Sequence, residues 1–409
     1  MPRDRTRRRG HRAPKGLSQL PWRRLVNPYR PIEVLNEDQV EAIHLASLRL
    51  LEETGMEVLS NQALDALSGA GAEVDHANRR VRFDHGLVEE AVGRAPRAFT
   101  LHPRNPARSV TLGANHVNFS SVSGPPNCSD LDRGRRPGSY PDFCNLLRLI
   151  QSLNVLHLAG GMPVAPIDLE PQTRHLDCCY AFITLTDRAW NALGLGAYRV
   201  DDAIEMLCLA RGVDRDRLAR EPGIMSVINT NSPLRLDGPM AEGLMAMARA
   251  GQPVIVTPFT LAGAMSPVTL AGALAQQNAE ALAGITLAEV VSPGAPVVYG
   301  GFTSNVDMKS GAPAFGTPEY TKAALAGGQL ARRYRLPFRS SNVNAANLVD
   351  AQAAYESEMS VWGAVMAHAN LVLHGAGWLE GGLTASFEKM VIDAEILQMM
   401  AEFLRPIEV

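Results

Sequence analysis

A glycine-rich stretch near the end of the sequence carries three side chains that could do chemistry. It reads NLVLHGAGWLEGGLTASFEK, covers residues 370–389, and places His374, Trp378 and Glu380 between an apolar run and a helical pattern. An indole face attracts cations, a carboxylate pairs with a cation, and an imidazole can orient a substrate. We therefore predict that His374 and Trp378 bind substrate and that Glu380 is a catalytic charge. A solvated loop carboxylate is the alternative for Glu380.

Other aromatic side chains lie at or just past the ends of apolar runs. Phe119, Phe259 and Phe302 each belong to a different run, as Trp378 does. If those runs are strands of one barrel, the four rings can converge over one cavity. A cage of aromatic rings suits a quaternary or tertiary ammonium group, at about 0.5–2 kcal/mol per contact. The joint placement predicts that these rings bind substrate. For any single ring, packing in the hydrophobic core at the top of the barrel is an equal alternative.

Asparagines in two of the expected loops form a second candidate group. Asn229 and Asn231 follow the fourth expected strand, and Asn342 and Asn344 follow the seventh. Amide groups can orient a substrate carboxylate or a polar leaving group by hydrogen bonds. Asn229 and Asn231 are therefore predicted to bind substrate, and Asn342 and Asn344 to be catalytic. Turn formation is the alternative, because Asn and Ser before Pro are common in loops.

Two alternating kinds of element must position these side chains. From residue 111 onward the sequence repeats an apolar strand, a glycine or proline loop and an amphipathic helix. The predicted strands cover residues 116–122, 155–160, 188–193, 224–230, 254–258, 297–299, 338–340 and 371–374. The predicted helices cover residues 141–153, 172–185, 201–211, 238–250, 269–291, 317–334, 350–367 and 387–404.

Eight strands that alternate with eight helices favour one α/β fold. Strict alternation implies parallel strands joined by right-handed crossovers, and eight of them close a (β/α)₈ TIM barrel. An open doubly wound sheet is the rival, but no G-x-G-x-x-G follows the first strand and no G-x-x-x-x-G-K-[ST] occurs. We predict the barrel at residues 111–409, an N-terminal helical or α+β cap region at 27–110, and a disordered basic tail at 1–26.

Composition argues against several classes of function. The 409 residues are 46% hydrophobic with a formal net charge of -3, which gives no reason to expect a nucleic-acid or membrane surface. The five cysteines are scattered and odd in number, so neither disulfides nor a zinc site is indicated, and cytoplasmic residence is the default expectation. No metal site is predicted. Lys and Arg are nearly absent from the expected strand-end loops, which argues against phosphorylated substrates.

Several stretches of the sequence are similar to a known enzyme family. The main ones read GTPEYTKAALAGGQLARRYRLPFRSS, DAQAAYES and GAGWLEGGLTASFEKMVIDAEIL, and the supporting ones read NPYRPIEVL, GGMPVAP and INTNSPLRLDGPM. In combination they resemble the trimethylamine methyltransferase family, in particular its branch without pyrrolysine, which includes glycine betaine methyltransferases. The resemblance extends from about Asn27 through nearly the whole chain.

The resemblance implies a (β/α)₈ barrel that moves a methyl group from a methylated amine to the Co(I) centre of a separate corrinoid protein. The chain is then expected to bind no cofactor itself, because the partner carries the corrinoid, and to form a homo-oligomer. Since the sequence holds only standard residues, a quaternary amine such as a betaine is the expected substrate rather than trimethylamine. The transfer moves no proton, so His374 is expected to orient the substrate or serve the core. Family members are also expected to continue past the position of Val409.

Two rival functions remain open on the same residues. A binding or regulatory protein would keep the aromatic cage and have lost methyl transfer, so betaine binding without transfer would identify it. An aldolase or lyase on the same scaffold would need a Schiff-base lysine at a strand end, and none is visible in the sequence. Borohydride trapping would test that second rival.

Overall fold

Eight parallel strands closed into a barrel form the centre of the molecule. The computed structural model describes residues 18–408. Each strand pairs with the next, and the eighth pairs with the first, with Leu371 opposite Asn118. The prediction of a TIM barrel is confirmed. The first to eighth strands are His116–Ser121, Leu158–Ala159, Ala189–Ala192, Ile224–Ile228, Val254–Val256, Val297–Gly300, Phe338–Ser341 and Leu371–Ala376.

One long helix follows each strand and packs on the outside of the barrel. These helices are Tyr140–Ser152, Arg174–Leu185, Ala197–Arg211, Gly238–Arg249, Leu270–Val291, Pro318–Tyr334, Ala351–Met366 and Phe387–Phe403. A short extra helix, Arg215–Arg220, follows the third of them. Five begin at a side-chain oxygen that accepts a backbone N–H of the first turn, namely Ser139, Asp237, Thr269, Asp350 and Ser386. Such caps are visible in the sequence, which is why the predicted helix bounds agree to within a few residues.

Apolar side chains fill the end of the barrel at which the strands begin. Six strands each contribute one residue to this layer, namely Leu158, Ala189, Met225, Ile255, Val298 and Leu371. A hairpin of strands Ala98–Leu101 and Val110–Gly113 adds Leu101, Val110 and Leu112 to the same cluster. The barrel is therefore closed at this end, and a ligand site belongs at the other end, where the strands finish.

The N-terminal region packs against the side of the barrel and shares its hydrophobic core. Its helices are Glu37–Arg49, Asn61–Gly69 and His85–Arg94, and its strands are Met56–Val58, Glu73–Asp75 and Arg80–Arg82. All three helices contact the barrel helix Leu270–Val291. That helix is buried on nearly every side, from Ala273 to Glu289, because it lies between the barrel and this region.

The predicted disordered tail differs from the structure over its last nine residues. Residues 1–17 lie outside the described residues, but residues 18–26 pack on the barrel. Leu25–Val26 pairs antiparallel with the first strand, and the Gln19 side chain donates a 2.8 Å hydrogen bond to the Ser152 carbonyl. The prediction for residues 18–26 was wrong because Trp22 and Leu25 supply apolar surface that the preceding arginine-rich stretch lacks.

Two small sheets at the barrel mouth were not predicted. One joins the loops after the fifth and sixth strands, through Phe259–Ala262, Phe302–Val306 and Pro313–Ala314. The other joins the loops after the first and eighth strands, through Asn127–Asp130, Gly134–Pro137, Trp378–Leu379 and Thr384–Ser386. Their strands hold two to five residues, too few to show alternation in a sequence.

Within residues 18–408, no helix is long and apolar enough to span a bilayer. All five cysteines fall in that range and are free thiols.

Candidate active site

A cavity of about 410 Å³ opens at the carboxyl ends of the barrel strands. Residues from all eight strands, or from the loops that follow them, line it. Its size is that of a small-molecule site. Aromatic rings come from the side of the fifth, sixth and eighth strands, whereas small and amide side chains come from the side of the first four. The two halves therefore differ in chemistry.

Five rings form the aromatic half of the cavity. They belong to Phe259, Phe302, Phe315, His374 and Trp378. Phe302 lies at their centre, with ring centroids 5.4 Å from Phe259, 5.2 Å from Phe315 and 6.1 Å from Trp378. Pairs at such distances and inclined angles are mutually favourable, and they leave ring faces for a ligand. Phe315 was missed from the sequence because it lies well past the end of its strand.

Trp378 is fixed by hydrogen bonds to Asn344 in both directions. Its Nε1 donates to the Asn344 carbonyl at 3.2 Å, and its own carbonyl accepts from Asn344 Nδ2 at 2.8 Å. The backbone of Gly382, with φ of +97°, lies against the indole, where a Cβ atom would come within 2.5 Å of the ring. Glycine at 382 therefore allows the close approach that seats the ring.

His374 reaches the cavity through an irregularity in the eighth strand. Its φ is +57°, and the pairing with the first strand shifts register between Val372 and Ala376, which re-aims the side chain. Nδ1 accepts a 3.2 Å hydrogen bond from the Ser123 amide, so the neutral ring carries its proton on Nε2. Burial, with a contribution from Arg339, holds the pKa of His374 well below its ordinary value. The imidazole is therefore a neutral donor at physiological pH.

Amide groups and glycines form the other half of the cavity. Asn191 donates from Nδ2 to the Gly160 carbonyl at 2.8 Å, and its Oδ1 has no partner within residues 18–408. Asn229 donates from Nδ2 to the Thr257 carbonyl at 3.1 Å and lines the cavity as predicted. Asn191 was missed because it lies inside the third strand, and only strand-end loops were searched.

Arg339 supplies a cation that the sequence interpretation also missed. It lines the cavity from the middle of the seventh strand, with its guanidinium carbon 5.1 Å from the centroid of the Phe302 ring. Burial lowers its pKa to about 10, so it stays protonated at neutral pH. The signal was present in the stretch FRSS, because an arginine inside a fully buried strand needs a reason.

A protein-family model matches nearly the whole chain. The model described as trimethylamine methyltransferase (MTTB) matches residues 2–409. The chain belongs to this family. A glycine betaine methyltransferase of Desulfitobacterium hafniense (strain Y51) is 38% identical over 373 residues, which are 91% of this chain and 77% of that one. The trimethylamine methyltransferase MttB of D. hafniense (strain DSM 10664 / DCB-2) is 31% identical over 376 residues, 91% of this chain and 75% of the other.

Solved structures support the fold assignment. The monomethylamine methyltransferase (MtmB) of Methanosarcina barkeri aligns with a TM-score of 0.61 at 10% identity, over 92% of this chain and 76% of that one. A hydroxylamine complex of MtmB aligns with a TM-score of 0.62, also at 10% identity, over 94% and 77%. At this identity the likeness shows a shared barrel fold.

In this member of the trimethylamine methyltransferase family, several predicted site residues lie outside the cavity lining. Phe119 is fully buried in the main core, with its ring 5.9 Å from that of His157. Asn231 is exposed, and its side chain accepts a 3.0 Å hydrogen bond from the Asp237 amide, as a turn residue does. Asn342 is buried and donates to the Gly375 carbonyl at 2.9 Å. Asn344 is buried and lies outside the lining, where it forms the two hydrogen bonds with Trp378.

Glu380 forms an ion pair with Arg135 and does not line the cavity. Its carboxylate lies 2.8 Å from Nε of Arg135, which belongs to the Gly134–Pro137 strand of the first loop. Glu380 is absent from the cavity lining, whereas its neighbours Gly381 and Gly382 contribute to it. The pair ties the eighth loop to the first, because Arg135 belongs to the small sheet between them and Glu380 lies in the turn that joins two strands of that sheet.

We expect Glu380→Gln to change methyl transfer by less than about threefold, since Glu380 is absent from the cavity lining and an ion pair with a half-exposed arginine contributes about 0–1 kcal/mol. The measurement is kcat/KM in the assay described below for the proposed reaction. Arg135→Gln removes the other partner and serves as the matched variant, so both should behave alike. A large loss for Glu380→Gln with none for Arg135→Gln would restore a direct catalytic role for Glu380.

Proposed function

We propose that the protein moves a methyl group from a quaternary or tertiary methylated amine, such as a betaine, to the Co(I) of a separate corrinoid protein. The observation that carries the proposal is the five-ring wall of the cavity at the barrel mouth. Ring faces attract a methylated ammonium group, and a quaternary one offers no N–H for stronger hydrogen bonding. The named relatives, a glycine betaine and a trimethylamine methyltransferase, support the same chemistry.

The cavity residues act by binding and orientation. When docked, the corrinoid supplies the nucleophile that takes the methyl group, while the electron pair of the broken C–N bond stays on nitrogen. The positive charge on nitrogen therefore decreases as the C–N bond breaks. Aromatic rings stabilise that charge less than water does, so little stabilisation is lost between the bound substrate and the transition state. Trp378, held by Asn344, keeps the methyl group pointed out of the mouth. The neutral His374 adds no charge that would oppose the substrate.

The rim of the cavity offers a surface for the corrinoid protein. Six of its loops, after the first, second, fifth, sixth, seventh and eighth strands, each expose one large apolar side chain. These are Leu131, Ile167, Val268, Met308, Leu348 and Leu383, all at least half exposed. Apolar side chains gathered around a functional opening are typical of a protein contact. A partner that carries a corrinoid would sit here, directly above the substrate.

The test is transfer to a reconstituted corrinoid protein kept as Co(I) without oxygen. With glycine betaine as the probe, we expect Co(I) absorbance to fall and dimethylglycine to appear in equal amount by mass spectrometry. The control is the same mixture without this protein. If no quaternary or tertiary methylated amine in a panel consumes Co(I), the proposal is wrong, and binding without transfer would identify an amine-binding protein instead.

A further inference from the structure

Arg339 is a buried cation without an anion. It is 2% exposed, and its Nε and Nη1 atoms have no hydrogen-bond partner within the described residues. No carboxylate within residues 18–408 forms an ion pair with Arg339, and burial raises the pKa of the Tyr320 phenol that interacts with it, so that phenol is neutral. A buried charge with free N–H groups costs stability. Its position on the cavity wall points to a partner that comes from outside the chain.

The surroundings of Arg339 narrow the chemistry of that partner. The guanidinium lies against Phe302, the central ring of the wall that the proposed function assigns to the ammonium group. A ligand with a positive charge alone would meet a second positive charge in a poorly solvated cavity and be repelled. A ligand with both charges would satisfy the rings with its ammonium group and Arg339 with its anion.

We propose that Arg339 binds the carboxylate of a zwitterionic methylated amine and so makes betaines the substrate class. The proposal rests on the proposed function for the identity of the methyl donor. A guanidinium binds both oxygens of a carboxylate through Nη2 together with either Nε or Nη1, and none of these nitrogens of Arg339 donates a hydrogen bond within residues 18–408. Because Arg339 and Phe302 are adjacent, the two charges of the substrate must be only a few bonds apart, as they are in glycine betaine.

The experiment measures binding by calorimetry with three probes of similar shape. Glycine betaine carries both charges, its primary amide keeps the shape but loses the negative charge, and choline replaces the acid with an alcohol. We expect the protein to bind glycine betaine at least about a hundredfold more tightly than either cation. In Arg339→Met this preference should vanish. Betaine binding weakens because its carboxylate loses the guanidinium, and binding of the two cations strengthens because the guanidinium no longer repels them. Arg339→Lys should keep part of the preference, since it keeps the charge and loses the fork.

Two controls separate recognition from folding. Arg108→Met removes another arginine that lies over a ring, Trp22, which packs at the closed end of the barrel, and it should leave all three affinities unchanged. Thermal unfolding of Arg339→Met should match or exceed that of the unaltered protein, because the substitution removes a buried unpaired charge. Betaine binding by Arg339→Met within threefold of the unaltered protein would overturn the proposal. So would failure of glycine betaine and its homologues with two and three methylenes to bind at all.

These outcomes are independent of methyl transfer, because no corrinoid is present. Arginine-dependent binding of betaine without consumption of Co(I) would support the role of Arg339 and reject the proposed reaction. Methyl transfer together with equal affinity for betaine and its amide would support the proposed reaction and reject the role of Arg339.

Discussion

Lys389→Met is expected to lower the free energy of unfolding by about 3–5 kcal/mol, because it leaves the Asp393 carboxylate buried without its cation. Both side chains have no exposed surface, and they form an ion pair one helical turn apart. Lys389 also donates to Ser357 Oγ at 2.7 Å, and Asp393 accepts from the Gly377 amide at 2.9 Å. Burial raises the pKa of Asp393, while Lys389, the Gly377 amide and Asn342 oppose that rise. Equilibrium urea denaturation measures the loss.

Two variants test the explanation for Lys389. The double variant Lys389→Met with Asp393→Asn removes both charges and keeps an acceptor for the Gly377 amide, so it should recover most of the lost stability. Arg49→Met breaks an exposed ion pair with Glu53 at the same helical spacing and should cost less than about 0.5 kcal/mol. A loss below about 1 kcal/mol for Lys389→Met alone would show that the buried pair contributes little.

Trp378→Leu is expected to reduce kcat/KM for methyl transfer by about a hundredfold or more. The leucine keeps an apolar side chain in the wall but removes the ring face, which is worth up to about 2 kcal/mol to a desolvated ammonium group, and it loosens the orientation of the methyl group. It also removes the Nε1 hydrogen bond to the Asn344 carbonyl. The measurement is the Co(I) assay with glycine betaine.

Trp378→Phe separates the ring from the hydrogen bond. The phenyl side chain keeps an aromatic face and lacks Nε1, so we expect a loss of about tenfold, between the native protein and Trp378→Leu. Circular dichroism of both variants should show the native helical content. Equal activities for the leucine and phenylalanine variants would mean that no ring face at position 378 contacts the ammonium group.

The sequence was sufficient to predict the barrel because its elements repeat. Each strand ends in a glycine, proline or polar loop, and most barrel helices start at a visible cap such as Ser386. The rings Phe259, Phe302 and Trp378 could be placed at the mouth because barrel topology brings all strand ends together. This part of the prediction needed only the order of the elements.

The remaining site residues depended on facts that a single sequence does not carry. Phe119 faces the core because successive strand residues alternate between two faces, and the sequence did not show which face was inward. Glu380 was expected beside the substrate, but its partner Arg135 comes from a hairpin of the first loop, about 245 residues earlier, which pairs with the eighth loop in the fold. Asn191 lies inside a strand, where strand-end loops give no hint of it, whereas Arg339 is the exception, because an arginine inside a predicted strand is visible in the sequence.

The apolar layer at the closed end of the barrel has a consequence for the order of events in the proposed reaction. Leu158, Met225 and Val298 fill the closed end of the barrel. The amine, its demethylated product and the corrinoid must therefore all use the opening at the carboxyl ends of the strands. The amine has to enter before the corrinoid protein docks, and the product can leave only after that protein departs. We therefore expect an ordered steady-state mechanism, in which the amine binds first and the corrinoid protein second. Excess corrinoid protein should inhibit, because it would dock on a barrel that is empty or still holds product.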